Sequence, residues 1–338
     1  MRIRLKPLRE QTVVITGASS GIGLTTARRA ARAGAQLVVA SRNGEALQQL
    51  VNELAAGGCQ AFYVIADVAN PQEVDNIARA AIERFGGFDT WVNNAGVSVY
   101  GRIEDVALED HRRLFETNFW GVVHGSLTAV KHLKQRGGAL INVGSEVSEV
   151  AIPLQGMYSA SKHAVKGFTD ALRVELEAEG APVSLTLIKP AGIDTMFVPH
   201  AKNYMKREPR LPAPVYAPEV VADAILFAAR HPRRDIFVGG AARFMASLAH
   251  LAPRTLDRYL RRFMFSQQKR HAPARPRDSN ALHGPGAGLQ EREGRPGRVF
   301  ESSLYTRAAM RPTAAVGVLA AIGLAVAATV RLRRAWAR

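Results

Sequence analysis

A serine, a tyrosine and a lysine are the residues of this chain whose types and spacing suggest chemistry. Tyr158 and Lys162 are four positions apart, and Ser145 lies thirteen residues before the tyrosine. Side chains at i and i+4 share one face of a helix. A nearby ammonium favours the phenolate form of a tyrosine and brings it toward use as a proton donor and acceptor. Taken alone, the pair is more typical of an ordinary helix surface than of a reactive site.

The position of Ser145 adds to this pattern. It follows the apolar run ALINVG, residues 139–144, which predicts a buried strand. Open α/β sheets bind ligands at the carboxyl ends of their strands. We therefore expect the hydroxyl of Ser145 to lie at a ligand-binding edge.

Two further strands are predicted to end at small residues. Thr12 to Thr16 form a β-branched apolar strand, which runs into the glycine-rich sequence GASSGIG at 17–23 and then into a helix. Such a turn lets backbone amides approach a pyrophosphate at the positive end of the helix dipole, although ordinary tight turns also need glycine. A later strand ends in NNAG, residues 93–96.

Strands and helices are predicted to alternate from residue 12 to about residue 240. This alternation indicates an α/β fold with a doubly wound parallel sheet between two layers of helices. The residues from 241 onward are predicted to form a helical C-terminal extension.

The chain resembles the short-chain dehydrogenase/reductase family in its single-domain form. The resemblance covers roughly residues 10–240, and its motifs stand in the family's order and at its spacings. They are TGASSGIG at 16–23, Asp67, NNAG at 93–96, Asn118, Ser145, Tyr158 and Lys162. The resemblance implies a Rossmann-like domain over residues 1–240 and an NAD(P)-dependent enzyme that interconverts a carbonyl and a secondary alcohol by hydride transfer.

The resemblance also implies a role for each catalytic residue. Tyr158 would be the general acid and base, and Ser145 would hold the carbonyl oxygen. Lys162 would lower the pKa of Tyr158 and contact the nicotinamide ribose, while Asn118 would hold a water that links the lysine to solvent. The implied cofactor-binding residues are Gly17, Ser19, Ser20, Gly21, Ile22, Gly23, Arg42, Asp67, Val68, Asn94, Ala95, Gly96, Tyr158, Lys162, Pro190 and Thr195.

One position departs from the family pattern. Ala191 stands where the family usually has a glycine directly after the proline, in the segment that closes over the nicotinamide.

No metal site is predicted, because the histidines at 111, 124, 132 and 163 do not have the spacing of metal ligands.

The end of the second strand predicts the choice of cofactor. Enzymes that prefer NAD usually carry an acid here for the ribose hydroxyls, whereas a 2′-phosphate calls for a cation. This chain has Ser41 and Arg42. A guanidinium can hold a phosphate through two parallel hydrogen bonds, so we predict NADP(H) in preference to NAD(H). The alternative is that Arg42 is a surface turn residue.

A long irregular segment, residues 196–216, is predicted to form a substrate lid. It combines apolar residues such as Phe197 and Leu211 with basic residues such as Lys206 and Arg210. This composition suits a small lipophilic carbonyl or alcohol substrate with a polar end. A solvated loop with a few apolar anchors explains it nearly as well.

The formal net charge of +16 belongs mainly to the C-terminal region. Residues 241–338 contain 18 Lys/Arg and 5 Asp/Glu, a balance of +13, which leaves +3 for residues 1–240. The basic tail lacks the interleaved aromatic residues of a stacking surface, so no nucleic-acid partner is predicted. The single cysteine, Cys59, excludes an internal disulfide and fits a reducing compartment.

The C-terminal region divides by composition into four segments. Residues 241–265 predict basic amphipathic helices broken at Pro253, suited to a membrane surface or a partner subunit. Residues 266–312, rich in Pro, Gly and Arg, predict a flexible linker. Residues 313–330 carry no charge and predict a transmembrane helix, with an interfacial or protein-packed helix as the alternative; 331–338 form a basic tail.

These segments lead to expectations about location and assembly. A single C-terminal helix would make the protein membrane-associated, with the catalytic domain on the cytoplasmic side. The resemblance implies a homodimer or homotetramer formed by the two long helices that carry Asn118 and Tyr158. The alternative function is a catalytically silent nucleotide-binding scaffold at a membrane.

Overall fold

The computed structural model of the protein describes residues 3–295 and 297–310. Its strands are β1 Thr12–Thr16, β2 Gln36–Ser41, β3 Ala61–Ile65, β4 Thr90–Asn93, β5 Val99–Tyr100, β6 Gly138–Val143, β7 Val183–Pro190, β8 Gly192–Ile193, β9 Lys202–Asn203, β10 Arg207–Pro209, β11 Val215–Tyr216, β12 Asp235–Val238, β13 Lys269–Pro273 and β14 Val299–Phe300. Its α-helices are α1 Gly21–Arg32, α2 Gly44–Ala56, α3 Pro71–Phe85, α4 Leu108–Phe115, α5 Gly121–Arg136, α6 Gly156–Ala178, α7 Phe197–His200, α8 Pro218–Ala228, α9 Gly240–Leu251, α10 Pro253–Tyr259, α11 Phe265–Gln267 and α12 Leu304–Met310. Shorter 3₁₀ turns span Leu8–Glu10, Ile103–Asp105 and Glu146–Ser148, and π turns span Glu116–Trp120 and Leu260–Met264.

Seven strands form the central parallel sheet, in the order β12-β7-β6-β4-β1-β2-β3. The chain moves outward from β1 through β2 to β3, then returns to β4 on the other side of β1 and continues through β6 and β7 to β12. The order therefore reverses between β1 and β4, which is where open α/β sheets form their ligand crevice. The predicted doubly wound α/β fold is confirmed.

Two apolar cores lie on opposite faces of this sheet. On one face, α1, α2 and α8 pack against residues such as Ile15 and Leu37, and on the other, α3, α5 and α6 pack against residues such as Val14 and Trp91. Because both faces are covered, the central strands are apolar at nearly every position instead of alternating. The sheet and its two helical layers are the predicted three-layer arrangement.

A polar cluster is buried between the carboxyl ends of β4 and β6. The Nδ2 of Asn93 donates to the Oδ1 of Asn142 at 2.9 Å, and the Nδ2 of Asn142 donates to the Oγ1 of Thr169 on α6 at 2.9 Å. Ser126 on α5 donates to Asn142 at 3.3 Å. These bonds fix two neighbouring strands and two helices at the edge from which the NNAG and Ser145 segments leave the sheet.

The C-terminal region packs back onto the catalytic domain. Helix α9 ends at Leu251 and α10 begins at Pro253, so the break falls at the predicted proline. On α10 and the π turn that follows it, Leu256, Leu260 and Met264 form a buried cluster with Val150 from the loop after β6.

The structure of residues 266–310 differs from the predicted flexible linker, as far as these residues are described. Strand β13 pairs with β10, β14 pairs with β11, and helix α12 follows. The segment is held by backbone hydrogen bonds and ion pairs, for example Arg292 with Glu219 and with Glu301, both at 2.7 Å. Neither kind of contact needs a periodic apolar pattern, which is why composition alone indicated a linker.

The predicted localisation requires a correction. Among residues 3–295 and 297–310, no helix has the length and apolar character needed to cross a membrane. We therefore do not retain the predicted membrane-associated location with a cytoplasmic catalytic domain. The predicted transmembrane helix at 313–330 and the basic tail at 331–338 lie outside the described residues.

The buried cluster around Asn142 yields a prediction for stability. Asn142→Ala should lower the free energy of unfolding by roughly 2 to 4 kcal/mol, because Asn93, Ser126 and Thr169 each lose one hydrogen-bond partner in a buried site. Urea denaturation measures the change. Asn52→Ala, on the exposed face of α2, is the control and should stay within about 0.5 kcal/mol of the parent. A comparably small effect at Asn142 would contradict the structural role of the cluster.

Candidate active site

Of the four predicted catalytic residues, Ser145, Tyr158 and Lys162 line one cavity of about 550 Å³, and Asn118 is not among the residues that line it. Ser145 follows β6, and Tyr158 and Lys162 lie on the first two turns of α6. The 3₁₀ turn after Ser145 is closed by reciprocal hydrogen bonds: the Oγ of Ser145 accepts from the amide of Val147 at 3.3 Å, and the Oγ of Ser148 accepts from the amide of Ser145 at 3.2 Å. This capping box fixes the backbone at Ser145 and the direction of its side chain.

Tyr158 carries its proton at neutral pH. Burial raises the pKa of its phenol above the ordinary value, a hydrogen bond with Ser145 acts in the opposite direction, and the charge of Glu146 adds to the increase. The sequence led us to expect a pKa lowered by Lys162. The structure differs because desolvation of the phenolate outweighs the other effects.

Lys162 lies beneath the tyrosine, with only 4% of its surface exposed. Its Nζ donates to the carbonyl of Val143 at 2.8 Å and lies 5.9 Å from the centre of the Tyr158 ring. Burial lowers the pKa of this ammonium to about 8. The lysine is therefore close enough to favour a phenolate when the tyrosine gives up its proton.

Asn118 is fully buried in the π turn between α4 and α5. Its Oδ1 accepts from the amide of Val97 at 2.8 Å, and its Nδ2 donates to the carbonyl of Val97 at 2.9 Å and to the Oγ of Ser161 at 3.3 Å. The side chain thus ties the segment after NNAG to α6. Its role in holding a water remains a prediction. π turns of this kind are frequent at functional sites.

The glycine turn before α1 has the geometry of a phosphate cradle. Gly17 has φ +67° and Gly21 has φ +53°, which glycine adopts without strain. A Cβ on Gly23 would lie 2.2 Å from the carbonyl oxygen of Gly17, so no side chain fits there. The backbone amides at the start of α1 can therefore approach a pyrophosphate closely, and the turn fits a nicotinamide dinucleotide.

The other predicted cofactor-binding residues surround the same cavity. Asn94 supports the turn, since its Nδ2 donates to the carbonyls of Thr16 and Gly17 at 3.0 and 3.1 Å. Ala191, where the family has glycine, fits within an apolar cluster. Of the predicted set, Gly23 lies behind the cavity, and the residues that line it are Gly17, Ser19, Ser20, Gly21, Ile22, Arg42, Asp67, Val68, Asn94, Ala95, Gly96, Tyr158, Lys162, Pro190 and Thr195.

Arg42 and Asp67, at the cofactor end of the cavity, form hydrogen bonds and an ion pair with other residues of the chain. The Nη2 of Arg42 donates to the carbonyl of Ala281 at 2.6 Å and its Nη1 to that of Leu282 at 3.2 Å. Asp67 forms an ion pair with Arg113 and accepts from the amide of Ala69 at 3.0 Å. Burial lowers the pKa of Arg42. Both side chains face the cavity from positions beside the glycine turn.

Sequence reasoning missed the walls that the C-terminal region contributes. The apolar residues of α9, α10 and the following π turn were expected on an outer surface, but several of them close the substrate end of the cavity. The spacing of Phe244, Met245 and Leu248 was a signal that these side chains share one helix face. The residues of this wall are Phe244, Met245, Leu248, Tyr259, Met264 and Gln267, and those at the opposite end are Ala281, Pro285 and Gly286.

Comparisons with known proteins agree with this geometry. The family described as short chain dehydrogenase matches residues 11–205. An uncharacterized oxidoreductase of Bacillus subtilis, YxnA, is 47% identical over 335 residues, covering 98% of this chain and 94% of its own. Two solved structures are also similar: an alcohol dehydrogenase from Thermococcus sibiricus complexed with 5-hydroxy-NADP (28% identity, TM-score 0.60, 67% of this chain and 95% of that one) and a short chain dehydrogenase/reductase from Burkholderia phymatum in complex with NAD (27% identity, TM-score 0.67, 80% and 99%). The chain therefore belongs to the short-chain dehydrogenase/reductase family and is an NAD(P)-dependent oxidoreductase.

Proposed function

We propose that the protein is an NADP(H)-dependent oxidoreductase that interconverts a carbonyl and a secondary alcohol on a lipophilic substrate. The observation that carries the proposal is the meeting of Ser145, Tyr158 and Lys162 around the cavity that the glycine turn also lines. A hydroxyl, a phenol and an ammonium at the carboxyl ends of parallel strands are the groups that such a reaction needs.

In the reductive direction, each of these residues has a definite task. The nicotinamide ring supplies the hydride when the cofactor is bound. As the carbonyl carbon is reduced, Ser145 donates a hydrogen bond to its oxygen, which counts most as negative charge develops there. Tyr158 transfers its phenolic proton to that oxygen, which completes the alcohol, and Lys162 favours the phenolate that remains. In the oxidative direction the phenolate accepts the alcohol's proton.

The proposed preference for NADP(H) rests on Arg42. It is the first residue after β2 and lines the cavity beside Ser19 and Asn43. Positions 41 and 42 hold a serine and an arginine, and neither is an acid. The ribose hydroxyls of NAD(H) therefore lack the carboxylate acceptor that usually follows this strand. One similar structure is described with an NADP derivative and the other with NAD, so those descriptions do not decide the question.

The lipophilic character of the proposed substrate rests on the wall opposite the glycine turn. Met196, Phe197 and Leu211 come from the predicted lid, and Phe244, Met245 and Leu248 from α9. The ring of Phe197 lies 5.2 Å from that of Tyr158. A substrate carbonyl within reach of the phenol would thus be surrounded by apolar side chains.

Pairing of subunits through α5 and α6 is part of the proposal. Trp120, Leu127 and Val174 lie in or beside these helices, and between 45% and 60% of each side chain is exposed. Large apolar side chains exposed this far on long helices support a helical interface between copies of the chain.

Tyr158→Phe tests the proposed mechanism. Turnover should fall at least about 100-fold because the proton donor is gone, while the dinucleotide still binds. Purified protein is incubated with NADPH and a total lipid extract, and mass spectrometry identifies species that gain two hydrogens. Tyr63→Phe, far from the cavity, should match the parent. Near-normal turnover without the Tyr158 hydroxyl would exclude it as the acid.

Arg42→Leu tests the cofactor preference. We expect the dissociation constant for NADPH to rise at least about tenfold, since a charge-assisted contact to the 2′-phosphate is lost, and that for NADH not to rise. Titration of the cofactor's fluorescence measures both. Arg84→Leu, exposed at the end of α3, is the matched control. Equal weakening of both cofactors would show that Arg42 does not select the 2′-phosphate.

Glu146→Gln tests the electrostatics beside the site. Burial in the cavity wall raises the pKa of Glu146 from 4.5 to about 7. In the unfolded chain this carboxyl has its ordinary pKa. The folded protein therefore loses stability as the pH rises from 4.5 to about 7. The neutral amide escapes the loss and should be more stable than the parent at pH 8, by about 1 to 3 kcal/mol, but not at pH 4.

Thermal unfolding at the two pH values measures this difference. Glu83→Gln, exposed on α3, should show no such pH dependence. A stability difference for Glu146→Gln that is the same at both pH values would mean that the carboxyl is not held in its neutral form.

A further inference from the structure

Residues 281–291, here called the C-terminal strap, cross the cofactor end of the cavity. The amide of Gly21, in the phosphate-cradling turn, donates to the carbonyl of Gln290 at 2.9 Å. The amide of Leu289 donates to the carbonyl of Ser19 at 2.8 Å. The strap therefore pairs with the backbone of the glycine turn on both sides of Ser20.

The strap also engages the side chains that follow β2. Ala281 and Leu282 accept the two hydrogen bonds of Arg42 described above, and Gly286 accepts from the Nδ2 of Asn43 at 2.9 Å. A backbone carbonyl oxygen takes the same N–H donors as a phosphate oxygen. The strap thus occupies donors at two points, Gly21 and Arg42, where a dinucleotide would place its phosphates.

Both ends of the strap are anchored to the domain. Leu282 is fully buried in an apolar cluster with Val97 and Leu114. At the other end, the carboxylate of Glu291 pairs with Arg28 at 2.6 Å and accepts from the Oγ1 of Thr25 at 3.0 Å. These anchors hold the strap on the cavity without using its central residues.

The strap is strained near its C-terminal end. Leu289 has φ +60°, in the left-handed region that residues with a side chain rarely adopt. This residue stands directly before Gln290, whose carbonyl holds Gly21. Movement of Leu289 and Gln290 away from the glycine turn would release this strain.

We propose that the C-terminal strap competes with the dinucleotide for the phosphate-binding donors, and that its backbone carbonyls leave Gly21 and Arg42 when the cofactor binds. The bonds from Gly21 to Gln290 and from Arg42 to Ala281 exclude phosphate contacts at the same N–H groups. The apparent affinity for cofactor is then the intrinsic affinity multiplied by the fraction of molecules with the strap open. With about one molecule in ten open, apparent binding is about tenfold weaker.

Hydrogen exchange of the full chain tests the proposal directly. Peptides covering the strap are followed by mass spectrometry with and without saturating NADPH, and again with NADH. Competition predicts that the Leu289 amide exchanges faster when cofactor is bound, because its bond to Ser19 opens. Slower exchange would mean that the strap clamps over the cofactor and would overturn the proposal.

A substitution within the strap provides an independent test. A Cβ on Gly288 would lie 2.2 Å from the Cβ of Ala46, so Gly288→Ala should push the strap off its seat. We expect a dissociation constant for NADPH that is about three- to tenfold lower, with faster association in stopped-flow fluorescence. Gly284→Ala is the matched control, because a Cβ there meets nothing within 4 Å, and it should bind like the parent.

The inference requires only that a nicotinamide dinucleotide binds, and not that NADP(H) is preferred. Equal affinities of the parent for NADPH and NADH would refute the proposed preference and leave the strap's role intact. Weaker or unchanged binding of both cofactors by Gly288→Ala would refute the competition, whichever cofactor the parent prefers.

Discussion

The hydrogen-bonded pair of Asn93 and Asn142 is the interaction on which the site depends. It joins the ends of β4 and β6 in the buried interior of the sheet, where an amide without a partner would be costly to bury. The chain leaves β4 directly into the NNAG segment and leaves β6 into Ser145. The relative placement of the NNAG backbone and the Ser145 hydroxyl therefore depends on this side-chain contact together with the backbone pairing of β4 and β6.

Burial shifts the pKa values of three ionisable groups of the site, each towards the neutral form of the group. It raises the pKa of Tyr158, raises that of Glu146 to about 7 and lowers that of Lys162 to about 8. Each shift favours the neutral form. Near neutral pH the phenol of Tyr158 is therefore protonated, whereas Lys162, with a pKa of about 8, is still largely an ammonium.

Much of the fold, and the meeting of Ser145, Tyr158 and Lys162 around one cavity, could be predicted from the sequence, because these features require particular residue types; the catalytic roles stay predictions. The left-handed backbone conformation at Gly17 requires a glycine. A phenol one helical turn from an ammonium requires a tyrosine and a lysine at i and i+4, as at Tyr158 and Lys162. The pKa of Tyr158 was expected in the wrong direction, since the degree of burial depends on packing by distant segments. No sequence pattern indicated the strap, because its contacts come mainly from backbone carbonyls, which every residue possesses.

The two ends of the cavity are closed by one stretch of chain. Helix α9 and the π turn at Leu260–Met264 cover the substrate end, and about twenty residues later Ala281 reaches Arg42. Between them, Gln268 is fully buried and bonded to Gln155 at 2.8 Å and to Pro153 at 2.7 Å. The wall at one end of the cavity and the strap at the other are therefore covalently continuous, and the buried side chain of Gln268 fixes the chain between them.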